Sequence, residues 1–468
     1  MSENPVYPTP NPSGASDDSN HGMRHELGRI LRLALPISLA QFGQMLLGLV
    51  DVAILGHVSS TELGGASIGR AIGFVSTSLC IGVAAALEPL AAQAVGADEE
   101  RTAWEAFTAS LGASVAVCLP GCILAVLSTW MLEPLGIESA LIAPARAFLV
   151  AQVPGLLFFA LFLSAKTYLQ AHGRTVPALL AAVTANAVNV IACNVLVRGS
   201  LGIGTWSLGL GTPALGAFGA GIASSIASFV LASYVLIAAL RLRPHSRGVT
   251  KTPYGARLRK VVRIGTPISL QILAEIGVFS LIAVLAGRLG AVAASAHSIA
   301  VGLASFAFMG VLGVSGATAV RVGHAIGEGR SPRQSGLLGI GVGATFMALC
   351  GIVFFAIPGF LMDLFTDDVR IRALGITLLR IAAAFEIFDG LQIVAAGALR
   401  GAGDVRFPFF ATLGAYWAIG FPLAMFLGFH AGWGAPGLWW GLLVGLIVVA
   451  GLLTWRFVHI ARGPIERV

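Results

Sequence analysis

Pro36-Ile37-Ser38-Leu39 and Pro267-Ile268-Ser269-Leu270 are the same tetrapeptide, and each opens a long apolar run. The offset of 231 residues between them persists without a gap: it pairs Gly56 with Gly287, Ser67-Ile68 with Ser298-Ile299, Gly82-Val83 with Gly313-Val314, Ala86 with Ala317, and Ala94-x-Gly96 with Ala325-x-Gly327. Leu169-x-x-x-Gly173 and Leu399-x-x-x-Gly403 match at offset 230, after which Pro177 and Pro408 match again at 231. A chain made of two parallel apolar copies is a common carrier construction, in which substrate crosses between the halves near the middle of the bilayer.

With 468 residues, a mean hydropathy of +0.87, 56% hydrophobic residues and only 11% charged ones, the chain has too little polar side chain to solvate a globule of its size. The fold class expected is therefore an all-α membrane protein. Apolar runs of the length that crosses the hydrocarbon as helix recur twelve times, at 31–56, 66–90, 103–131, 142–170, 176–197, 213–240, 262–287, 296–322, 335–364, 373–399, 407–429 and 435–458. Six per copy is an even number, so both copies enter the membrane in the same sense. The result is two six-helix bundles related by a pseudo-two-fold axis along the membrane normal. The expected division is a disordered tail over 1–27, an N-lobe over 28–240, a linker over 241–261 and a C-lobe over 262–468.

The net charge of +7 reflects topology rather than nucleic-acid binding. With the N-terminus in the cytoplasm, most Lys and Arg fall at inner ends and loops, including Arg241, Arg243, Arg247, Lys251, Arg257, Arg259, Lys260 and Arg263 around the linker. Both termini are then cytoplasmic, and the chain is expected to be a multi-pass membrane protein. The tail has no apolar run and so no cleavable signal peptide. Cys80, Cys118, Cys122, Cys193 and Cys350 all lie in apolar spans, where they serve as small packing residues. There is no Walker A sequence and no metal-ligand spacing among the histidines, which argues against ATP-driven pumping in this chain and against zinc chemistry. Enzymatic activity is not expected, nor is a resident cofactor.

The informative residues are the carboxylates within spans, each costing about 2.5–3.5 kcal/mol at the bilayer centre on insertion scales. They are Asp51 in span one, Glu275 in span seven, and Glu386 with Asp389 in span ten; Glu88 sits near the inner end of span two, where snorkelling is a sufficient account. Glu386 and Asp389 are spaced i, i+3 and share a helix face, while Arg380 points elsewhere. Two such acids in a low dielectric hold a proton or share a metal ion, unless each is a protonated hydrogen-bond donor to a neighbouring helix. Asp51 is the one formal charge expected deep in its half. Asn186 and Asn189, again i, i+3, with Asn194 beyond them, could ligate an ion or glue helices together. Gln41 and Gln44 add polar surface in span one, and Gln44 is the repeat partner of Glu275.

Several runs in order resemble the multidrug and toxic compound extrusion (MATE) family over about residues 28 to 460. Ala317-Thr318-Ala319-Val320-Arg321-Val322-Gly323-His324-Ala325-Ile326-Gly327 is similar to its "StaVRVGnalG" run, and Leu399-Arg400-Gly401-Ala402-Gly403-Asp404 to its "LRGaGd". First-half counterparts run from Ala86 to Ala97 and from Tyr168 to Gly173. The resemblance implies a secondary antiporter that exports organic, cationic or amphiphilic compounds in exchange for Na⁺ or H⁺ by alternating access, acting as a monomer in the lipid bilayer. Its NorM-like branch carries a glutamate in helix seven and an aspartate in helix ten as a cation site. Glu275 and Asp389 stand at those places, as metal ligands if the ion is Na⁺. Asp51 matches the family's helix-one aspartate, and Pro36, fifteen residues earlier, its bending proline, a hinge. One departure lies in helix five, where the second amide or acid expected after Asn189 is Cys193. The competing reading within transport is a flippase for lipid-linked precursors, which needs a more basic cavity. A major-facilitator carrier lacks support because the loop after span two reads Gly96-Ala97-Asp98-Glu99-Glu100, and a membrane receptor would need a signalling domain.

Overall fold

The structure is a computed structural model that describes residues 14–203, 206–209, 213–244 and 252–468. Twelve long helices follow one another: α1 (Gly14–Gly56), α2 (Ser60–Gly96), α3 (Glu100–Met131), α4 (Ser139–Ala171), α5 (Val176–Arg198), α6 (Gly216–Leu240), α7 (Tyr254–Arg288), α8 (Ala291–Gly327), α9 (Arg333–Ala356), α10 (Val369–Gly401), α11 (Arg406–His430) and α12 (Gly434–Ile460). Eleven of them are long and apolar enough to cross a membrane; α10, which carries Arg380, Glu386 and Asp389, is the one outside that set. α1–α6 form one lobe and α7–α12 the other. The non-helical exception among the described residues is a small antiparallel hairpin, β1 (Ser200–Ile203) with β2 (Trp206–Gly209), between α5 and α6.

Two boundaries differ from expectation. Residues 14–27, expected within a disordered tail, extend α1, and α7 starts at Tyr254 rather than after 261. The reason at the first is a buried anchor: Glu26 accepts from Arg321 Nε and Nη2 at 2.8 and 2.7 Å and from Ser335 Oγ at 2.7 Å, so the helix must continue to deliver it. Tail residues 1–13 and linker residues 245–251, including Arg247 and Lys251, lie outside the described residues.

The lobes meet through α1 on α8 and α2 on α7. α1 buries Ile30, Ala34 and Ile37 against the C-lobe core, an i, i+4, i+7 stripe of the 3.6-residue period. The repeat partners Val261 and Ile268 of α7 bury against Val83, Ala86 and Leu90 of α2. The closest approaches also obey the repeat. Ser38 Oγ donates to the Gly310 carbonyl at 2.6 Å, and Ser269 Oγ donates to the Leu79 carbonyl at 2.9 Å. A Cβ on Gly313 would sit 2.1 Å from Ser38 Oγ, and one on Gly82 would sit 2.2 Å from Ser269 Oγ, so these two positions must lack a side chain. Toward the linker end, Gln93 Nε2 donates to the Gly401 carbonyl at 3.0 Å, while His324 Nε2 lies 2.7 Å from the Ala171 carbonyl, the equivalent pair. Glu88 belongs here too. It does not snorkel but accepts from Arg400 Nε of the other lobe at 2.8 Å.

Beyond Phe42 and Phe306, whose rings meet across the lobes at 4.8 Å, the lobes diverge. Leu49 lies eleven residues after Ser38 and so about 20° from it around α1, by the helical period. It is 50% exposed where Ser38 is in contact. The linker end is closed: among the described residues the cross-lobe hydrogen bonds and ion pairs lie on the linker side of Phe42 and Phe306. Gly82→Ala and Gly313→Ala, each overpacking a serine contact at a cost of about 1–3 kcal/mol, should lower the thermal unfolding temperature, whereas Gly302→Ala, with open space around it, should not.

Candidate cation-coupling site

In the C-lobe, α7 and α10 bring three carboxyls into one region. Gln392, one turn beyond Asp389 on α10, donates through Nε2 to Glu275 Oε1 at 3.0 Å, and its Oε1 accepts from Tyr416 Oη at 2.9 Å. Tyr416 lies in a π-helical stretch of α11, Gly414–Gly420, and the next residue, Trp417, donates to the Ala274 carbonyl at 3.0 Å. A π-turn widens the helix by a residue and is frequent at functional sites. Here it aims two successive side chains at α10 and α7. α10 approaches α9 closely through Gly390 on Gly343 and Met347, which fixes the face that carries Glu386 and Asp389.

Acceptor oxygens are left over. Glu386 and Asp389 are 1% and 7% exposed, Glu386 Oε2 has no hydrogen-bond partner, and among the described residues none donates to the Asp389 carboxylate. The charge of Asp389 reaches Glu386, that of Glu275 reaches Asp389, and Arg400 acts on Glu275 from beyond ion-pair distance; among the described residues no Lys, Arg or His lies within ion-pair distance of any of the three acids. Buried carboxylates at mid-membrane need a compensating positive charge or a proton. The unsatisfied oxygens suit a monovalent cation, although no group of three metal-ligating side chains converges among the described residues.

The N-lobe solves the same problem internally. Asp51 is not the isolated charge expected from the sequence: Arg70 of α2 donates through Nη2 to its Oδ2 at 3.2 Å, and Ser224 Oγ donates to the same oxygen at 2.6 Å. Its Oδ1 accepts from Asn189 Nδ2 and from Cys193 Sγ, both at 3.2 Å. Cys193, read as packing and as a departure from the family pattern, is thus a donor to the aspartate. Arg70 is itself held by the Gly48 carbonyl at 3.1 Å and lies over the Phe148 ring. Asn186 bridges to the Gly43 and Ala182 carbonyls at 2.8 Å each, which is interhelical glue, and Asn194 donates to Val190 of its own helix. Pro36 lies within α1, which is helical on both sides of it.

Lys166 of α4 was not singled out from the sequence. Its buried ammonium donates to Gln41 Oε1 at 2.9 Å, and Gln44 Nε2 donates to the same oxygen at 2.8 Å. Gln44 is therefore a structural partner of Gln41, next to a buried cation rather than to Asp51. A lysine five residues before the end of an otherwise apolar run was the available signal.

The MatE family model matches residues 36–195 and 267–426, two segments separated by the same 231 residues as the sequence repeat. The chain is 36% identical to "Probable multidrug resistance protein NorM" of Rhodopseudomonas palustris over 94% of its length and 93% of the relative's. It is 34% identical to "Multidrug resistance protein NorM" of Burkholderia vietnamiensis over 91% and 92%. Its fold superposes on the crystal structure of the eukaryotic MATE transporter AtDTX14 with a TM-score of 0.82, covering 95% of this chain and 99% of the other at 22% identity. It superposes on an outward-facing MATE transporter of the MOP superfamily with a TM-score of 0.83 at 17% identity, covering 94% and 97%.

The pairing of Asp51 with Arg70 predicts a non-additive cycle: Asp51→Asn, Arg70→Gln and the double variant should give a coupling of about 1 kcal/mol or more in thermal or denaturant unfolding. Additive losses would mean the two groups do not interact.

Proposed function

Because the chain belongs to the MatE family of multidrug and toxic compound extrusion transporters, we propose that it couples efflux of organic compounds to cation entry through Glu275 and Asp389 of the C-lobe. It is a multi-pass membrane transporter of the multidrug efflux type, not an enzyme. The observation that carries the site assignment is the contrast between lobes. Asp51 has an arginine and three further donors, whereas Asp389 and Glu386 have unpartnered oxygens and, among the described residues, no counter-charge within ion-pair distance.

The mechanism follows from linkage. A ligand that binds both states equally shifts nothing, so cation and substrate must prefer opposite states or compete for one. Cation binding at Glu275 and Asp389 removes the repulsion between their charges and favours the form open at the far end, from which substrate leaves. Gln392 and Tyr416 position the Glu275 carboxyl by fixing one of its oxygens, leaving the other for the cation. Glu386 adds negative potential, so organic cations and amphiphiles are the substrates the cleft favours. H⁺ and Na⁺ both fit, since a proton needs one carboxyl and Na⁺ can use the two acids with neighbouring oxygens. The flippase reading asks for a basic centre, whereas among the described residues the mid-span acids Glu275, Glu386 and Asp389 outnumber the one buried lysine, Lys166, which is bonded to Gln41. The linker end faces the cytoplasm on this reading, by the excess of Lys and Arg there.

Asp389→Asn and Glu275→Gln should each reduce cation-driven efflux from proteoliposomes by about tenfold or more while the protein remains folded; an amide keeps the volume but cannot take up a proton or carry charge. Separate Na⁺ and pH gradients identify the ion. Wild-type efflux by both variants under either gradient would make the acids structural. For orientation, a cysteine at Thr252 should be protected from an impermeant thiol reagent in intact cells and one at Asp367 labelled; the reverse pattern inverts the topology.

A further inference from the structure

The linker end carries two basic pockets that the transport cycle leaves unused, and they are copies of each other. The first, of about 250 Å³, is lined by Arg29, Arg32, Leu33, His172, Arg321 and His324. The second, of about 280 Å³, is lined by Lys260, Arg263, Ile264, Gly403, Arg406 and Val468, together with Asp404, which is itself paired with Arg456. Arg29 and Lys260, Arg32 and Arg263, and Leu33 and Ile264 are repeat partners at 231 residues, and Gly173 and Gly403 close the two pockets at offset 230. A pair of cations spaced i, i+3 at the start of a lobe is thus present twice in a chain whose halves otherwise differ at most positions.

Charge in the first pocket is not balanced. Arg321 is committed to Glu26, whose charge also reaches Arg29, and His172 lies 2.9 Å from Glu100, but among the described residues neither Arg29 nor Arg32 has a carboxylate within ion-pair distance. The apolar surface beside it continues into the bilayer. Leu39 is seven residues beyond Arg32, on the same face and about 10 Å deeper; it is 45% exposed, and Leu35 between them is 64% exposed. Leu270 stands in the same relation to Arg263 and is 42% exposed. A cationic pair at the interface with an exposed aliphatic track below it fits a phosphate joined to acyl chains better than a free anion.

We propose that the first pocket is a binding site for the phosphate of an anionic phospholipid, held by Arg29 and Arg32 with its acyl chains along Leu35 and Leu39. The second pocket is already lined by the chain's own tail: Val468 packs over Gly403 and its backbone N–H donates to Gln93 Oε1 at 2.9 Å. Among the described residues the first has no such occupant. Because Arg29, Arg32 and His172 come from one lobe and Arg321 and His324 from the other, the pocket exists only while the linker end is closed, so the lipid stabilises that form.

The test is thermal unfolding of the full chain in detergent, titrated separately with phosphatidylglycerol, phosphatidylcholine and inorganic phosphate. Phosphatidylglycerol should raise Tm by about 5 °C more than phosphatidylcholine, with inorganic phosphate having little effect, since a ligand specific for the folded state stabilises it by mass action. Arg29→Gln with Arg32→Gln should remove at least half of that difference. Arg29→Lys with Arg32→Lys, which keeps the charges and serves as a check on folding, should retain it, as should Lys260→Gln with Arg263→Gln. Equal effects of the two lipids, an undiminished difference in the Arg29→Gln/Arg32→Gln protein, or an equal loss in the Lys260→Gln/Arg263→Gln protein would overturn the proposal. An equal response to inorganic phosphate would replace the lipid with a soluble anion and overturn it as well.

Discussion

A carboxylate buried in a membrane helix must find a positive charge, and this protein meets that requirement differently in its two halves. In the N-lobe the charge is built in, since Arg70 reaches Asp51 from the neighbouring helix and Ser224, Asn189 and Cys193 complete the shell. In the C-lobe it is missing. Glu275 receives an amide from Gln392, and Asp389 and Glu386 receive nothing comparable from the described residues. Two lobes of common architecture thus hold one satisfied acid and one group of acids whose charge must be balanced from outside. A transporter driven by a cation gradient needs such a group, because the energy of neutralising it is what cation binding contributes to the change of state.

On the proposed reading that energy acts on a closed interface, whose parts occur in repeat-related pairs. The serine hydroxyls of Ser38 and Ser269 grip carbonyls at Gly310 and Leu79, with Gly313 and Gly82 leaving room for them, while Gln93 and His324 reach carbonyls at the ends of α10 and α4. Ion pairs are added on top, Glu26 with Arg321, Glu88 with Arg400, Glu105 with Arg257 and Glu99 with Arg467. Opening the linker end must break both sets together, which makes the interface a two-state element rather than a gradual one.

The repeat, the twelve spans and the acids were legible in the sequence because each is a local property: hydropathy over one helix length, identity at one offset, charge within an apolar run. What was not legible depends on how helices pack. Asp51 looked alone because Arg70 lies nineteen residues away on the next helix, and the contact between them depends on the relative rotation of α1 and α2. Glu26 looked like part of a tail because its partner Arg321 is 295 residues distant. Cys193 and Lys166 were passed over for the same reason, since a thiol or an amine in an apolar run gains a role only from the neighbour it faces. Glu88 was misread in the opposite direction: snorkelling was a sufficient local account, but the nearest positive charge, Arg400, was on the other lobe.

The most direct test of the central claim is infrared difference spectroscopy of the carboxyl region between cation-loaded and cation-free protein. The carboxyl signal that changes on loading should disappear in Asp389→Asn, be altered in Glu275→Gln, and persist in Asp51→Asn, whose carboxylate is already paired with Arg70. A signal that survives both C-lobe substitutions and vanishes with Asp51→Asn would place the coupling cation in the N-lobe and contradict the account.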